Sequence, residues 1–572
     1  MNRFITDQNR KWWTLATVCF ALLMIVLDST VVNLAIPKIL IHFNASISQL
    51  EWVNNGYLLA FAVFLITFGR LGDEVGRKKM FMIGLIVFTL GSLLSGLAGS
   101  IGLLVAYRVL QGLGGAAMMP ATLSIISSTF PPKERGTAMG AWGAVAGVGI
   151  ALGPILGGYL TDLGLGHSLN TWLHVTQYWR FIFFINLPIG IFAFLAAWFV
   201  IRESRDSETK HHFDISGIVF SALSIFFLTF GFIEGQKYGW WHQHQALSIL
   251  GHVIHLGPIG AIPVVFALSL AFFALFVGRE RHTTVDPLVD TKLFRSRNFS
   301  AGNITVIILA FGMMGAFFLL PLFLQAILGF SAIKTGTVLL PMAAMLMLAA
   351  PISGKLADRI GGKWLIVAGL SIMGVGTFWL GHFTLTTTIG QLIGPFLVLG
   401  FGMGMCQAPL TNISLLDIPP DEAGGASGVF TTTRQIGSVM GIAILGAVLQ
   451  SALAHDIGTH INGITDVPVK AKTAIILMAK NQNLLSTTNS QDQLKQVIVK
   501  AVVPSGQLDV SAMAHIQNIG REITSASKQA FTDSINVTVR ISSMIAVLGA
   551  ISGLLFVNHR PERHDIPPAQ IS

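Results

Sequence analysis

Long apolar runs dominate this chain and limit its fold more than any other feature. Fourteen stretches are about 20 residues long, the length that a helix needs to cross a bilayer. Charged side chains make up only 11% of the 572 residues, against about 25% in a typical soluble domain. We therefore predict an all-α integral membrane protein with 14 transmembrane helices. The predicted spans are 13–36, 50–69, 80–99, 103–128, 137–159, 180–201, 214–234, 257–278, 300–325, 335–354, 364–383, 389–415, 425–450 and 538–557.

Basic residues indicate the orientation of these spans. If the N-terminus is cytoplasmic, the inner segments hold about 22 of the 36 lysines and arginines, and the short outer loops hold about four. This excess follows the positive-inside rule. We therefore predict a multi-pass protein of the cell (inner or cytoplasmic) membrane with both termini cytoplasmic. The same distribution accounts for the net charge of +9 without a nucleic-acid partner, which would need one concentrated basic patch.

Two short segments return later in the chain. GRLGDEVGRKK at 69–79 reappears as GKLADRIGGKW at 354–364, which is 285 residues on. PPKERGTAMG at 131–140 reappears as PPDEAGGASG at 419–428, which is 288 residues on. Two matches at nearly the same offset indicate a duplication of about six spans. An even number of inserted spans keeps both halves in one orientation, and parallel repeats of this kind are typical of secondary transporters.

The duplication divides the chain into three membrane domains. We predict an N-terminal six-helix bundle at 1–201, a linker with two inserted transmembrane helices at 202–298, and a C-terminal six-helix bundle at 299–557. A cytoplasmic tail follows at 558–572, and an extracytoplasmic loop at 451–537 interrupts the second bundle. The architecture is therefore six plus two plus six helices.

Three ionisable residues, Asp28, Arg108 and Arg434, lie well inside the predicted spans. A charge at the bilayer centre costs roughly 2.5–3.5 kcal/mol on insertion scales, so each is a functional candidate. The repeat positions of Asp28 and Arg108 in the second half are apolar. We interpret Asp28 as a carboxyl where a proton and a cation compete, since such competition is the physical basis of antiport. The alternative is a structural acid bonded to neighbouring helices.

Two further residues have a functional and a structural interpretation. Arg108 shares one helix face with Gln111, three residues on, and a charged arginine can tune a nearby acid. A structural arginine bonded to backbone carbonyls is the alternative. Glu234 ends the seventh span and is either a second protonation or cation site or a solvated boundary acid.

Several stretches resemble the major facilitator superfamily. The segment at 69–79 is similar to the family's cytoplasmic loop signature, RVLQG at 108–112 to its span-4 motif, and GIALGPILGG at 149–158 to its antiporter motif. Three more stretches resemble the fourteen-span drug:proton antiporter branch (EmrB/QacA type): LDSTVVNLAIP at 27–37, WRFIFFINLPIG at 179–190 and TTRQIGSVMG at 432–441. Two positions depart from the pattern: Phe181 replaces an aromatic of the W-R-W motif, and Glu74 replaces the arginine after the loop aspartate.

This resemblance implies proton-coupled export of amphipathic, often lipophilic cationic compounds by alternating access. Export of an endogenous metabolite, lipid or peptide is the alternative. We expect no enzymatic activity, cofactor or metal, because the proton gradient supplies the energy and no cluster of catalytic groups is evident. The candidate residues are Asp28, Arg108, Glu234 and Arg434 for proton or cation coupling; Asn33, Gln111 and Gln435 for the substrate cavity; and Gly69, Asp73, Gly76, Arg77, Lys78, Gly149, Gly153, Pro154 and Asp358 for the gating motifs.

Two other predictions concern the ends of the spans. Asp73, near the start of the third span, is suited to cap a helix N-terminus there and to pair with the basic cluster after it. The contact would form a latch on the cytoplasmic side that opens during rocking. In the outer loop, 515–537 has the pattern of an amphipathic helix that runs into the last span. The loop is a candidate to cover the exit, or to dock a periplasmic adaptor protein where the host has an outer membrane.

Overall fold

The computed structural model describes twelve ranges of the chain. They are residues 6–43, 47–162, 177–204, 214–241, 247–249, 252–254, 260–282, 289, 291–419, 422–464, 472 and 510–557. Within them the backbone is almost entirely helical, which pairs the main-chain polar groups within each helix except at its ends, as a lipid environment requires.

The first six predicted spans form the N-terminal bundle. Its helices are α1 (Asp7–Phe43), α2 (Ile47–Val75), α3 (Arg77–Leu97), α4 (Ile101–Thr129) and α5 (Pro132–Asp162), followed by a 3₁₀ turn (Tyr178–Arg180), α6 (Phe181–Phe184) and α7 (Asn186–Val200). The sixth span is thus divided into three consecutive pieces.

Two inserted helices and a second bundle follow. The inserted pair is α8 (Ile215–Tyr238) and α9 (Ala261–His282), joined through a two-stranded antiparallel hairpin, β1 (Leu247–Ile249) and β2 (His252–Ile254). The second bundle begins after a 3₁₀ turn (Thr291–Arg295) and contains α10 (Arg297–Leu322), a π-helical turn (Phe323–Ile327), α11 (Ala332–Ile360), α12 (Lys363–Leu380), α13 (Ile389–Leu415), α14 (Ala423–Asn462) and α15 (Val510–Gly553).

The membrane-spanning character of the fold agrees with the sequence, and the number of spans is only partly established. Within the described residues, 12 helical segments are long and apolar enough to cross a membrane. The other two predicted spans, 50–69 and 137–159, lie in α2 and α5, which are helices of 29 and 31 residues. The count of fourteen therefore stays a prediction.

Each half has its own apolar core, and two helix pairs form the most extensive contacts between the halves. α5 packs against α11, and α2 packs against α14. The two pairs are related by the sequence repeat. An added Cβ at Gly140 of α5 would lie 2.6 Å from Pro351 Cα of α11, and one at Gly428 of α14 would lie 3.2 Å from Ile66 Cα of α2. Equivalent glycines thus bring equivalent helices into close contact.

The inserted helices pack on each other and on one of these pairs. The Ser224 hydroxyl donates to the Ser269 carbonyl at 3.1 Å, and the Ser269 hydroxyl donates to the Ser224 carbonyl at 2.9 Å, which joins α8 to α9. α8 contacts both α2 and α14. The insertion therefore lies beside the α2–α14 contact and makes the two halves unequal in their surroundings.

The predicted loop at 451–537 contains helix at both of its ends. α14 continues to Asn462, and α15 begins at Val510 and continues without interruption to Gly553. The predicted helix at 515–537 is therefore confirmed. The Ser534 hydroxyl donates to Asp456 at 2.8 Å, which ties the two extensions together. The rest of this loop lies outside the described residues, apart from Gly463, Ile464 and Lys472.

Candidate functional site: a buried ion pair and two interdomain latches

Asp28 lies on α1, fully buried, in the interior of the N-terminal bundle. Its Oδ2 accepts a hydrogen bond from Arg108 Nη1 at 2.5 Å. Its Oδ1 accepts from Gln111 Nε2 at 2.8 Å and from Asn186 Nδ2 at 3.1 Å. The carboxylate thus joins α1 to α4 and α7, and we call these four residues the coupling network.

Arg108 is enclosed on all sides. Its Nη1 also donates to Gln111 Oε1 at 2.9 Å, and its Nε donates to the Val53 carbonyl at 3.2 Å. The guanidinium carbon lies 4.3 Å from the ring centre of Tyr57 and 5.8 Å from that of Phe183. A buried ion pair is tolerated only when further hydrogen bonds satisfy both charges, and this pair meets that condition.

Small residues allow α2, α3 and α4 to approach closely enough to form the network. Gly112 follows Gln111, and an added Cβ there would lie 2.5 Å from the Tyr57 carbonyl oxygen of α2. An added Cβ at Gly91 of α3 would lie 2.8 Å from the Gln111 amide nitrogen. Because any side chain at these positions would separate the helices, the glycines place Gln111 against the interior face.

Ser92 is bonded to the coupling network through Asn186. Neither Asn186 nor Ser92 was predicted as a site residue. Asn186 Nδ2 donates to both Asp28 Oδ1 and Ser92 Oγ, the latter at 3.0 Å. The Ser92 hydroxyl donates to the Phe183 carbonyl at 2.9 Å. Asn186 is the sole polar side chain in the otherwise apolar run FIFFINLPIG, and that isolation is a signal from which it could have been predicted.

Asp73 connects the two halves at the end of the molecule that carries the repeated loops, here called the loop end. Its Oδ1 accepts from Arg77 Nη2 at 3.0 Å, and its Oδ2 accepts from the Gly425 amide at 2.9 Å. Gly425 lies in the first turn of α14, whose unpaired amides and positive dipole end favour a carboxylate. Asp73 therefore contacts the first turn of α14 in the other half, and not the start of the third span where the sequence predicted a cap. Arg77 of the basic cluster forms the ion pair with it.

Asp358, the repeat counterpart of Asp73, forms the equivalent contact in the opposite direction. Its carboxylate accepts hydrogen bonds from the backbone amides of Gly136 and Thr137, in the first turns of α5. A Cβ added to Gly136 would collide with Asp358 Oδ1, and one added to Gly354 would collide with the Gly136 carbonyl oxygen. Two latches related by the repeat, Asp73–α14 and Asp358–α5, therefore hold the loop ends of the halves together.

The first repeated loop is supported by the linker after α7. Gly76 has φ 117°, in the left-handed region that glycine adopts without strain, and its repeat counterpart Gly361 has φ 87°. Glu203 accepts from the Lys78 and Lys79 amides at 3.0 and 3.2 Å and thereby caps α3. Lys78 Nζ donates to the Trp198 carbonyl at 2.7 Å.

Arg434 lies apart from the coupling network, half-buried on α14. Its guanidinium carbon is 5.2 Å from the ring centre of Trp142, on α5 of the other half. Trp142 is buried, and its Nε1 donates to Thr122 Oγ1 of α4 at 3.1 Å. Among the contacts of the described residues, none joins Arg434 to Asp28 or Arg108. The three interior charges thus form one pair and one separate cation.

The structure places the remaining candidates as follows. Glu234 is buried near the end of α8, and Gln435 is half-buried on α14. Asn33 and Pro154 lie on α1 and α5, and their side chains are outside the described part. An added Cβ at Gly149 would lie 2.8 Å from Val26 Cγ1 of α1, and one at Gly153 would collide with Thr30 Oγ1 of α1. An added Cβ at Gly428 would lie 3.5 Å from Gly69 Cα.

The antiporter-motif glycines therefore hold α5 against α1, which carries Asp28. Gly69 of the loop signature lies against Gly428 of α14, so two small residues face each other at this contact between the halves. In the described ranges, no group of three or more histidine, cysteine, aspartate or glutamate side chains is suited to hold a metal ion.

The paired bundles, the repeated loops and the buried charges are features of a membrane transporter, and comparison with known proteins identifies its family. The model of the Major Facilitator Superfamily matches residues 18–442, and the chain belongs to that family. It is consequently a multi-pass membrane transporter and not an enzyme. The prediction of the superfamily is confirmed, and assignment to the fourteen-span branch stays a prediction.

Several curated relatives are drug or antibiotic exporters. The chain is 35% identical over 446 residues to the tetracenomycin C resistance and export protein of Streptomyces glaucescens, covering 78% of this chain and 77% of that protein. It is 33% identical to the multidrug resistance protein Stp of Mycobacterium tuberculosis, covering 80% and 79%. A bacterial homologue of the human lysosomal transporter Spinster, solved inward-facing and unoccupied, shares the fold at 16% identity and a TM-score of 0.55, covering 95% and 98%.

Proposed function

We propose that this protein is a proton-coupled multidrug exporter that exchanges protons for amphipathic compounds through alternating access, with Asp28 as the proton carrier. The observation that carries the proposal is the coupling network. Asp28 is buried within the interior of the first bundle, well inside α1, and its partners come from two other helices. A change in its protonation state therefore acts on the packing of α1, α4 and α7 together.

Protonation of Asp28 would change each contact in the network. The neutral carboxyl no longer forms an ion pair with Arg108, and one of its oxygens becomes a donor instead of an acceptor. Arg108 would then keep Gln111 and the Val53 carbonyl as acceptors. Loss of the α1–α4 ion pair allows α1 to move. Because α5 packs on α1, it would move with it. This sequence of contacts links a proton to movement of a helix at the half–half interface.

The latches supply the gate in this proposal. With the positive-inside orientation, the loop end faces the cytoplasm, and the two latched aspartates keep that side closed. Opening toward the cytoplasm requires that Asp73 leave the first turn of α14 and Asp358 leave that of α5. Arg77 and Lys78 hold the first loop in place during this movement. Glu234, on the inserted pair, is retained as a candidate second proton or cation site.

The class of substrate is supported by the relatives. Their names describe resistance to or export of tetracenomycin C and resistance to multiple drugs, and one is a probable actinorhodin transporter of Streptomyces coelicolor. Amphipathic drugs, among them the lipophilic cations that the sequence predicts, are accordingly the first compounds to test. Export of an endogenous compound is the second candidate, favoured by the relative named as a riboflavin transporter of Clostridioides difficile.

The remaining parts of the proposal concern location. We place the protein in the cell (inner) membrane with both termini in the cytoplasm. The helical extensions after position 450 and before position 538 are then outside, where they would meet an adaptor protein in a host with an outer membrane. Asn33, Gln111 and Gln435 line the substrate route in this proposal, and no cofactor is required.

Transport in proteoliposomes with an imposed pH gradient tests the function. We expect the gradient to drive accumulation of an amphipathic drug by the native protein. Asp28→Asn keeps the shape and, with its one amide oxygen, at most two of the three accepted hydrogen bonds. It removes the exchangeable proton, so gradient-driven transport should fall at least about a hundredfold, in the range of losing a 2.7 kcal/mol coupling step. Asp417→Asn, which alters a carboxylate bound to Ser296 and Asn298, is the matched control. Normal gradient-driven transport by Asp28→Asn would exclude Asp28 as the carrier.

A further inference from the structure

Arg434 is an interior charge that neither the coupling network nor the latches use. It lies on α14, where the halves meet, and faces Trp142 of the opposite half at 5.2 Å. No carboxylate in the described ranges forms an ion pair with it. The repeat position in α5, 288 residues earlier, is Ala146. The cation is thus specific to one half, like Asp28 and Arg108, and has no structural partner of opposite charge.

Two hydroxyl groups on the same face of α14 are also without partners. Ser427 and Thr431 precede Arg434 by seven and three residues, a spacing that aligns all three along one helix face. Both side chains are buried, at 0% and 3% exposure, and neither Oγ atom has a hydrogen-bond partner within the described residues. Ser427, Thr431 and Arg434 are called the donor stripe below.

Hydrogen-bond chemistry limits what the donor stripe can bind. A guanidinium donates and never accepts, and a buried hydroxyl beside it is free to donate. Such a set complements an acceptor-rich anionic group, since charge-assisted bonds to carboxylates are the strong ones. The positive charge would repel a cationic ligand at this place, and the Asp28 carboxylate cannot offset it because Arg108 holds that charge.

We propose that the donor stripe and Trp142 bind the anionic group and the adjoining ring of an amphipathic aromatic acid, such as a carboxylate or an ionised phenol. Arg434 forms the charge-assisted bonds, Thr431 and Ser427 donate to the remaining oxygens, and the flat indole contacts the ring. Arg434 lies on α14 about 13 Å along the helix axis from Gly425 of the Asp73 latch, from nine residues at 1.5 Å each. Latch and ligand therefore act on one helix.

This inference rests on the proposed exporter function and specifies its substrate class. It also departs from the lipophilic cations that the sequence predicts, because Arg434 is assigned to the binding of substrate anions and not to the coupling of cations. In a transporter of this class, substrate binds at the interface between the halves, which is where Arg434 and Trp142 meet.

Fluorescein and rhodamine 123 are the probes for the test, because they share one aromatic scaffold and carry opposite charge. Purified full-length protein is first titrated with each probe at pH 7.5, and binding is followed by fluorescence anisotropy. It is then reconstituted into proteoliposomes with an imposed pH gradient, and each probe is quantified by chromatography after rapid filtration. We expect the native protein to bind and transport fluorescein at a lower half-saturating concentration than rhodamine 123.

Substitutions on α14 identify the groups responsible. Arg434→Gln should raise the half-saturating concentration of fluorescein about tenfold or more, the loss typical of a hydrogen bond to a charged group. For Arg434→Lys, the half-saturating concentration of fluorescein should lie between those of the native protein and Arg434→Gln. Thr431→Val should raise that concentration about threefold. Rhodamine 123 should be unaffected or improved. Two controls should leave fluorescein unchanged: Lys334→Gln, a cation over the Phe330 ring, and Ser438→Ala, whose hydroxyl already donates to the Arg434 carbonyl.

The outcomes separate this inference from the function on which it rests. If the gradient drives rhodamine 123 but the native protein prefers it to fluorescein, or if Arg434→Gln weakens both probes equally, the anion site is wrong and the exporter proposal stands. If the gradient drives neither probe, the exporter proposal fails for these compounds, and the binding titrations still decide the anion site. If the Arg434→Gln protein does not fold, the anion site is tested by the preference of the native protein and by the titrations of Arg434→Lys and Thr431→Val.

Discussion

At the scale of single residues, the stability of the interior depends on how completely Asp28 and Arg108 satisfy one another. Three side chains donate to the carboxylate, and the arginine has a carboxylate, an amide and a carbonyl as acceptors. Removing one member of a buried pair leaves the other charge without compensation. The pair is therefore expected to be strongly coupled in stability as well as in transport.

Arg108→Gln should destabilise the protein by about 3–5 kcal/mol, because the Asp28 carboxylate then loses its counter-charge. In an Asp28→Asn background the same substitution should cost far less, since no charge remains to be stranded. Denaturant unfolding of the detergent-solubilised single and double variants measures this difference. Arg281→Gln, at the exposed end of α9, is the control and should change the free energy of unfolding by about 0.5 kcal/mol or less. Equal losses in both backgrounds would show that the two residues are not coupled.

Part of this network was predictable from the sequence, and part was not. A charge in an apolar span is conspicuous, so Asp28 and Arg108 stood out, and Gln111 followed from its spacing on the same helix. That Asp28 touches Arg108 was not accessible, because the two residues are 80 positions apart and only the packing of α1 on α4 brings them together. The contact between Arg434 and Trp142, 292 positions apart, was missed for the same reason.

At the scale of helices, apolar length predicted where the elements lie, and glycine decided how closely they pack. Every predicted span coincides with helix, yet the apolar run at 180–201 did not show that the sixth span is divided into a 3₁₀ turn, α6 and α7. A hydropathy pattern does not detect such changes of backbone conformation. The predicted span also ended at position 450, whereas α14 continues to Asn462 and packs against α15.

Gly354 of α11 tests the importance of this close packing. In Gly354→Ala the added methyl group would collide with the Gly136 carbonyl oxygen of α5, so the loop ends of α5 and α11 must separate. We expect the distance between spin labels at the exposed positions Lys79 and Arg359 to lengthen and the closed population to fall. Gly278→Ala is the matched control, because its added methyl meets nothing within 4 Å, and it should keep the native distance distribution. An unchanged distribution in Gly354→Ala would show that α5 and α11 do not set the closed state.

At the scale of the whole molecule, the residues that form the latches are repeated in both halves. The interior charges proposed to couple transport are not repeated. Each half offers one aspartate to the first turn of a helix in the other half, so closure of the loop end is shared between two equivalent contacts. The pairs differ in their surroundings, since α8 covers the α2–α14 side. The interior charges, in contrast, occur in one copy each. Sequence comparison of the two halves was sufficient to separate these two sets of residues.

The two latches should contribute independently to closure, because they lie on different helix pairs and share no contact. Replacing either aspartate with asparagine removes a negative charge from a helix N-terminus, which should weaken closure by about 0.5–2 kcal/mol. Asp73→Asn and Asp358→Asn should therefore each enlarge the open population at the loop end, measured as the long-distance fraction between spin labels at Lys79 and Arg359. The double variant should show the sum of the two free-energy changes within about 0.5 kcal/mol, as expected of independent sites.

The control for the latches is Asp417→Asn, which removes a carboxylate charge from the loop end and alters hydrogen bonds to Ser296 and Asn298 of the same half. We expect it to leave the distance distribution unchanged, because both latches stay intact. If it opens the loop end as much as the latch variants do, general repulsion among the basic residues there governs closure and the latches do not. If the double variant opens no further than Asp73→Asn, the Asp73 latch alone controls closure. The two latches would then contribute unequally to the free energy of closure, although the loops that carry them are related by the repeat.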